Sequence, residues 1–109
     1  MYRIILSAAM LLLSLNVSAQ VTSPHLNCTP SEVYGFPFTA KFNGQNATVV
    51  FKGWTYNLRY TGAYVNPTGE RVSEYENQEI YVFTTFPFDK YVSITGRSSP
   101  KVISGAFCN

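Results

Sequence analysis

Four of the six acidic residues in the chain, Glu70, Glu74, Glu76 and Glu79, fall within ten consecutive positions, the other two being Glu32 and Asp89. Two carboxylates held across a sugar ring are the working parts of a glycoside hydrolase, so this spacing could serve hydrolytic chemistry. The competing reading is a solvated acidic hairpin edge that discourages strand-to-strand association, and the remaining inventory favours it. His25 is the single histidine and lies in a segment from Gln20 to Leu26 that is expected to be loose. A histidine-based triad or a His-rich metal centre is hard to build on such a residue. The chain has no Gly-rich phosphate loop, no calcium-loop spacing and no Gly-x-Ser-x-Gly elbow. The expectation is therefore a non-enzyme with neither cofactor nor metal, a small glycan hydrolase using two of the clustered glutamates being the alternative.

Recognition is better served by these residue types, because exposed aromatics beside mixed charge form the surfaces on which a few residues carry most of a binding energy. Two stretches qualify. One runs from Tyr60 to Tyr75 and holds Tyr64, Arg71, Glu74 and Tyr75 around the turn Asn66-Pro67-Thr68-Gly69; the other is Phe86-Pro87-Phe88-Asp89-Lys90. The cations Lys41, Lys52, Arg59, Arg71, Lys90, Arg97 and Lys101 are spread along the chain rather than clustered. Neither a nucleic-acid footprint nor a polybasic membrane anchor is visible in that distribution.

The elements that must position these residues read as strands. Beyond residue 19 the chain holds seven Tyr, eight Phe and Trp54, with apolar residues recurring at period two. Trp54, Tyr56, Leu58 and Tyr60 alternate with Thr55, Asn57, Arg59 and Thr61, which predicts one face in the core and the other in water. Phe36, Phe38, Ala40 and Phe42 alternate likewise, and Asn43-Gly44-Gln45-Asn46 then predicts a hairpin whose second arm is Ala47 to Lys52. Arg71 to Glu76, Glu79 to Phe86, Phe88 to Thr95 and Lys101 to Cys108 complete the series. The uncharged run Tyr81 to Phe86 belongs in the sheet interior, where its aggregation tendency is hidden. The predicted class is all-β, a small antiparallel meander of seven or eight strands, barrel or sandwich.

Residues 1–19 read as a signal peptide: Arg3 supplies the positive end, Ile4 to Leu15 the apolar stretch, and Val17-Ser18-Ala19 the small residues before cleavage. Residues 20–109 would then be a single exported β domain with no membrane span, periplasmic or secreted, and monomeric. In that compartment Cys28 and Cys108 are expected to form a disulfide.

The leader, the size of the β domain, the cysteine near each end and the Tyr- and Trp-bearing meander together give a layout that resembles the periplasmic and membrane-bound inhibitors of C-type lysozyme. The resemblance covers Cys28 to Cys108. It implies a small antiparallel barrel and a Ser-Gly-x-x-Tyr loop entering the lysozyme cleft. The nearest strings are Thr61-Gly62-Ala63-Tyr64, one residue short, and Ser104-Gly105-Ala106-Phe107, which lacks the tyrosine hydroxyl. The implied function is binding in the cell envelope of a bacterium or a phage-infected cell, in its sharpest form lysozyme inhibition through residues around Tyr64 or Tyr75. The alternative within the same class is contact with another envelope protein or a glycan through Phe86 to Lys90.

Overall fold

The structure is a computed structural model that describes residues 20–31, 35–98 and 102–109. The leader with its cleavage signal, Glu32 and the expected strand start at Lys101 lie outside the described residues. What is described is strand and turn: β1 (Val21–Thr22), β2 (Leu26–Cys28), β3 (Phe38–Gly44), β4 (Asn46–Phe51), β5 (Trp54–Val65), β6 (Arg71–Glu76), β7 (Ile80–Thr84), β8 (Tyr91–Gly96) and β9 (Val102–Phe107). Among the described residues no helix is long and apolar enough to cross a membrane.

Period-two patterning sets the architecture, since each strand offers one apolar face and the chain reverses at every turn residue. All pairings are antiparallel, in the order β1-β3-β4-β5-β6-β7-β8-β9, with β2 also on β3. From β3 onward spatial order follows chain order, a meander curled into a half-barrel. The β4–β5 reversal is a two-residue turn at Lys52 and Gly53 with φ of 52° and 79°; two left-handed residues give a turn whose twist matches that of the strands it joins. Inside the curl, Phe42, Val49, Val82, Val92 and Ile94 are fully buried, with Leu26, Phe38 and Leu58 beside them.

The two ends of the meander meet. Asn27 N–H donates to Asn109 O at 2.9 Å and Asn109 N–H to Asn27 O at 2.8 Å, and at the adjacent bridge Cys28 is joined to Cys108. The disulfide spans a sequence separation of 80 residues, for which loss of chain entropy in the unfolded state gives about 4.5 kcal/mol of stabilisation. A domain this small buries too little surface to be indifferent to that contribution. Further along β9 the Ser104 hydroxyl donates to Phe36 O at 3.0 Å and accepts from Phe36 N–H at 3.3 Å, lacing the chain before β3 onto β9 and covering part of an otherwise open edge.

Tyr75 is the other closing residue. It is 0% exposed, and its ring packs against Phe42 at 5.1 Å and Tyr60 at 5.5 Å between centroids. Its hydroxyl accepts from Val21 N–H at 3.0 Å and donates to Gly44 O. That hydroxyl fixes β1 across the end of the half-barrel, where two residues of ladder alone would be a weak attachment.

Three expectations change. The segment from Gln20 to Leu26 is not loose: it forms β1, reaches β2 and is tied down by Tyr75 and by Ser23, whose hydroxyl accepts from Phe42 N–H at 3.1 Å. Trp54 is not core but 69% exposed: it opens β5 directly after the turn, and its register partner Phe51 fills the core at that level, stacked on Tyr56. The acidic hairpin is no sheet edge, since β6 lies between β5 and β7. Its Glu76 instead pairs with Arg97 at 3.2 Å, and the Arg97 guanidinium sits 4.9 Å over the Tyr81 ring.

Candidate functional site

Because the meander reverses at every strand, the β5–β6 and β7–β8 turns emerge at the same end of the sheet. Both are ordered by short polar side chains that take over the role of a backbone ladder. In the first, Asn66 Oδ1 accepts from Thr68 N–H at 3.1 Å, from the Thr68 hydroxyl at 2.7 Å and from Glu70 N–H at 2.9 Å, while Gly69 N–H donates to Asn66 O at 2.9 Å. Gly69 has φ of 89°, a conformation open to glycine at little cost. In the second, the buried Thr84 hydroxyl donates to Tyr91 O at 2.9 Å and accepts from Phe86 N–H at 3.1 Å, and the Thr85 hydroxyl donates to Asp89 O at 2.7 Å. The Phe86–Pro87 peptide is cis.

Between these turns lies a groove of about 800 Å³, walled by residues 69–71 with Ser73 on one side, residues 85–88 on another and residues 20–22 at its end. Phe86 packs partly into the core, whereas Phe88 is 82% exposed. An apolar ring held out in water by an ordered turn is a ready anchor for a partner.

Two carboxyls meet at the rim. Glu70 Oε1 stands 3.1 Å from the Thr68 hydroxyl, whose single proton it shares with the nearer Asn66 Oδ1, and Glu70 lies within hydrogen-bond reach of Asp89. Glu70 Oε2 is covered from water and receives no N–H or hydroxyl of the protein. The side-chain hydrogen bond with Asp89, reinforced by those with Thr68 and Asn66, holds the Glu70 carboxyl below its ordinary range against the opposing effect of burial. The same hydrogen bond, with desolvation and the Glu70 charge, holds Asp89 above its own.

The sequence-derived site residues thus divide. Arg71, Phe86 and Phe88 come together in the groove, although they lie in the two stretches nominated separately. Tyr64 is exposed on β5 opposite Val72, and Lys90 is exposed beside the closure, its carbonyl accepting from Cys108 N–H at 2.7 Å. Glu74 is half-buried opposite Phe83, and neither it nor Lys90 lines the groove. Tyr75, expected as a contact residue, is core and turns its hydroxyl inward, so it offers no surface to a partner. Glu70 and Asp89 were not foreseen as a pair. They are separated by two strands in sequence, and only the return of the chain to the same end joins them.

Thr61-Gly62-Ala63-Tyr64 and Ser104-Gly105-Ala106-Phe107 both lie in strands, β5 and β9, rather than in loops. No protein-family model matches the chain, and no curated protein or solved structure is detectably similar to it.

Proposed function

We propose that the protein is an exported binding protein of the cell envelope whose contact surface is the groove between the β5–β6 and β7–β8 turns. One observation carries this reading: two separately ordered turns converge on a single concavity and hold an exposed phenylalanine at its lip. Pre-ordered turns lower the entropy cost of association, because little remains to be immobilised when a partner arrives. The partner is a protein of the envelope, and lysozyme inhibition is the sharpest form of the reading. The disulfide supports the exported setting, since such bonds persist in oxidising compartments and are rare in the cytosol.

The test uses the oxidised protein from residue 20 onward, immobilised and exposed to envelope extract, beside Phe88→Ser and Trp54→Ser variants. A partner retained by the parent and by Trp54→Ser but lost with Phe88→Ser supports the groove. Retention that survives Phe88→Ser and fails with Trp54→Ser moves the surface to the opposite end of β5 and removes the proposal. The lysozyme form is decided separately with purified C-type lysozyme: half-inhibition at micromolar protein or below upholds it, and none at that level retires it. Hydrolysis of a glycan lost on Glu74→Gln and Glu76→Gln would instead establish the enzymatic alternative.

A further inference from the structure

The segment that closes the end of the half-barrel begins at a glutamine. Gln20 precedes β1 and is half-buried, and from the next residue onward the backbone is fixed. Val21 N–H donates to the Tyr75 hydroxyl at 3.0 Å, Val21 and Thr22 pair with Gly44 and Asn43, and Ser23 N–H donates to Phe42 O at 3.0 Å. Gln20 itself makes no hydrogen bond or ion pair with another described residue. It stands between two hollows, at the end of the groove and on the rim of a second hollow of about 410 Å³ formed with residues 45–46 and 59–61. The small residues Val17-Ser18-Ala19 put leader cleavage at the bond before Gln20. The first residue of the exported chain is thus one that the fold leaves untied, next to one that it holds firmly.

An N-terminal glutamine carries a nucleophile and an electrophile in the same residue. Its α-amine, with an ordinary pKa of about 8, is in part uncharged at neutral pH. The amine nitrogen attacks Cδ of the side-chain amide, the N–Cδ bond forms, the Cδ–Nε2 bond breaks, and ammonia leaves with the proton that the amine gives up. The product is a five-membered lactam, reached without oxidant, reductant or added water. Both reacting groups belong to one residue, so little entropy is lost in bringing them together. The Val21 N–H takes no part, and its bond to Tyr75 is kept.

We propose that Gln20 is a modification site, which closes to pyroglutamate once the leader is removed and so gives β1 a blocked, uncharged end. The proposal rests on the exported reading, which frees the amine. Aminopeptidases act on a free α-amine; the lactam has none, and the start of β1 that the Tyr75 hydroxyl holds is thereby protected from erosion. The end also brings no charge beside Arg59 in the second hollow or beside Glu70 and Arg71 in the groove.

The test exports the full chain with its own leader into a bacterial periplasm, holds the purified protein in neutral buffer, and measures it by intact and tandem mass spectrometry. Gln20→Asn is carried alongside, since its shorter side chain could close only a strained four-membered ring. The expected result is an oxidised chain that starts at residue 20 and is lighter by one ammonia, with the loss placed on residue 20 by fragmentation and absent from Gln20→Asn. An aminopeptidase should then leave the parent intact and remove residue 20 from the variant. Equal behaviour of the two under the peptidase overturns the protective role. A free Gln20 that persists in the buffer, a chain starting at another residue, or an ammonia loss placed on an asparagine overturns the proposal and leaves the exported reading standing. Retention of the leader overturns both.

Discussion

The two working regions of the half-barrel are built on opposite terms. At the closure, Cys28, Cys108, Tyr75 and Leu26 are buried, and hydrogen bonds run between segments far apart in the chain. At the groove, Phe88, Pro87, Gly69 and Arg71 are exposed, and the bonds that order them are local, within the turns of Asn66 and Thr84–Thr85. The difference teaches where each property resides. Long-range contacts hold the sheet shut, while local contacts shape a surface whose side chains are left free for another molecule.

Substitutions should separate the two regions, beginning with the closure. Replacing Cys28 and Cys108 with alanine should lower the unfolding free energy by about 4 kcal/mol, read from urea titrations; a loss under about 1 kcal/mol would place the closure elsewhere. Tyr75→Phe keeps the ring and removes the hydroxyl that serves Val21 N–H and Gly44 O, which should cost about 1–3 kcal/mol and raise the hydrogen-exchange rate of the Val21 amide. Uniform exchange across β1 in parent and variant would break that assignment. At the groove end, Asn66→Ala removes one acceptor for three donors and should cost about 1 kcal/mol, with shifts confined to residues 66–71. Phe88→Ser should change stability by less than about 0.5 kcal/mol while abolishing retention of the partner; a large stability loss would show the ring to be part of the core.

The smallest effect is in the titration of the carboxyl pair. Glu70 is depressed and Asp89 raised, so carboxyl ¹³C shifts should report Glu70 ionising at lower pH, and Asp89 at higher pH, than each does in the unfolded chain. The two groups act on stability with opposite sign. The depressed Glu70 contributes stability that is lost as pH falls through its folded value, and the raised Asp89 contributes stability that is lost as pH rises through its own. The two contributions therefore oppose one another, and the net pH dependence of stability from this pair should be small. Asp89→Ala should return Glu70 toward its ordinary range.

Legibility in the sequence follows the same division. Hydrophobic alternation located Arg71–Glu76 to the residue and β3, β4, β7, β8 and β9 to within a few residues, because each of these strands has one face in the core and period two is visible over six residues. Two-residue β1 and three-residue β2 are too short to show a period, and their attachment depends on a hydroxyl from residue 75. Tyr75 itself was readable: with Glu74 and Glu76 on one face of the strand, alternation requires Tyr75 on the other. The lure was its acidic surroundings. Composition named the two aromatic stretches of the groove, but not that they share it, since their adjacency follows from the number of reversals between them. The Glu70–Asp89 contact carries no sequence signal.

The division between closure and groove is tested most directly by crosslinking. A photoreactive benzoylphenylalanine replaces Phe88 in one preparation and Trp54, 69% exposed at the opposite end of β5, in another, and both are irradiated in the same envelope extract. A discrete adduct at position 88, with none at position 54, is the predicted result. An adduct at position 54 alone, or the same adduct at both positions, would contradict the account.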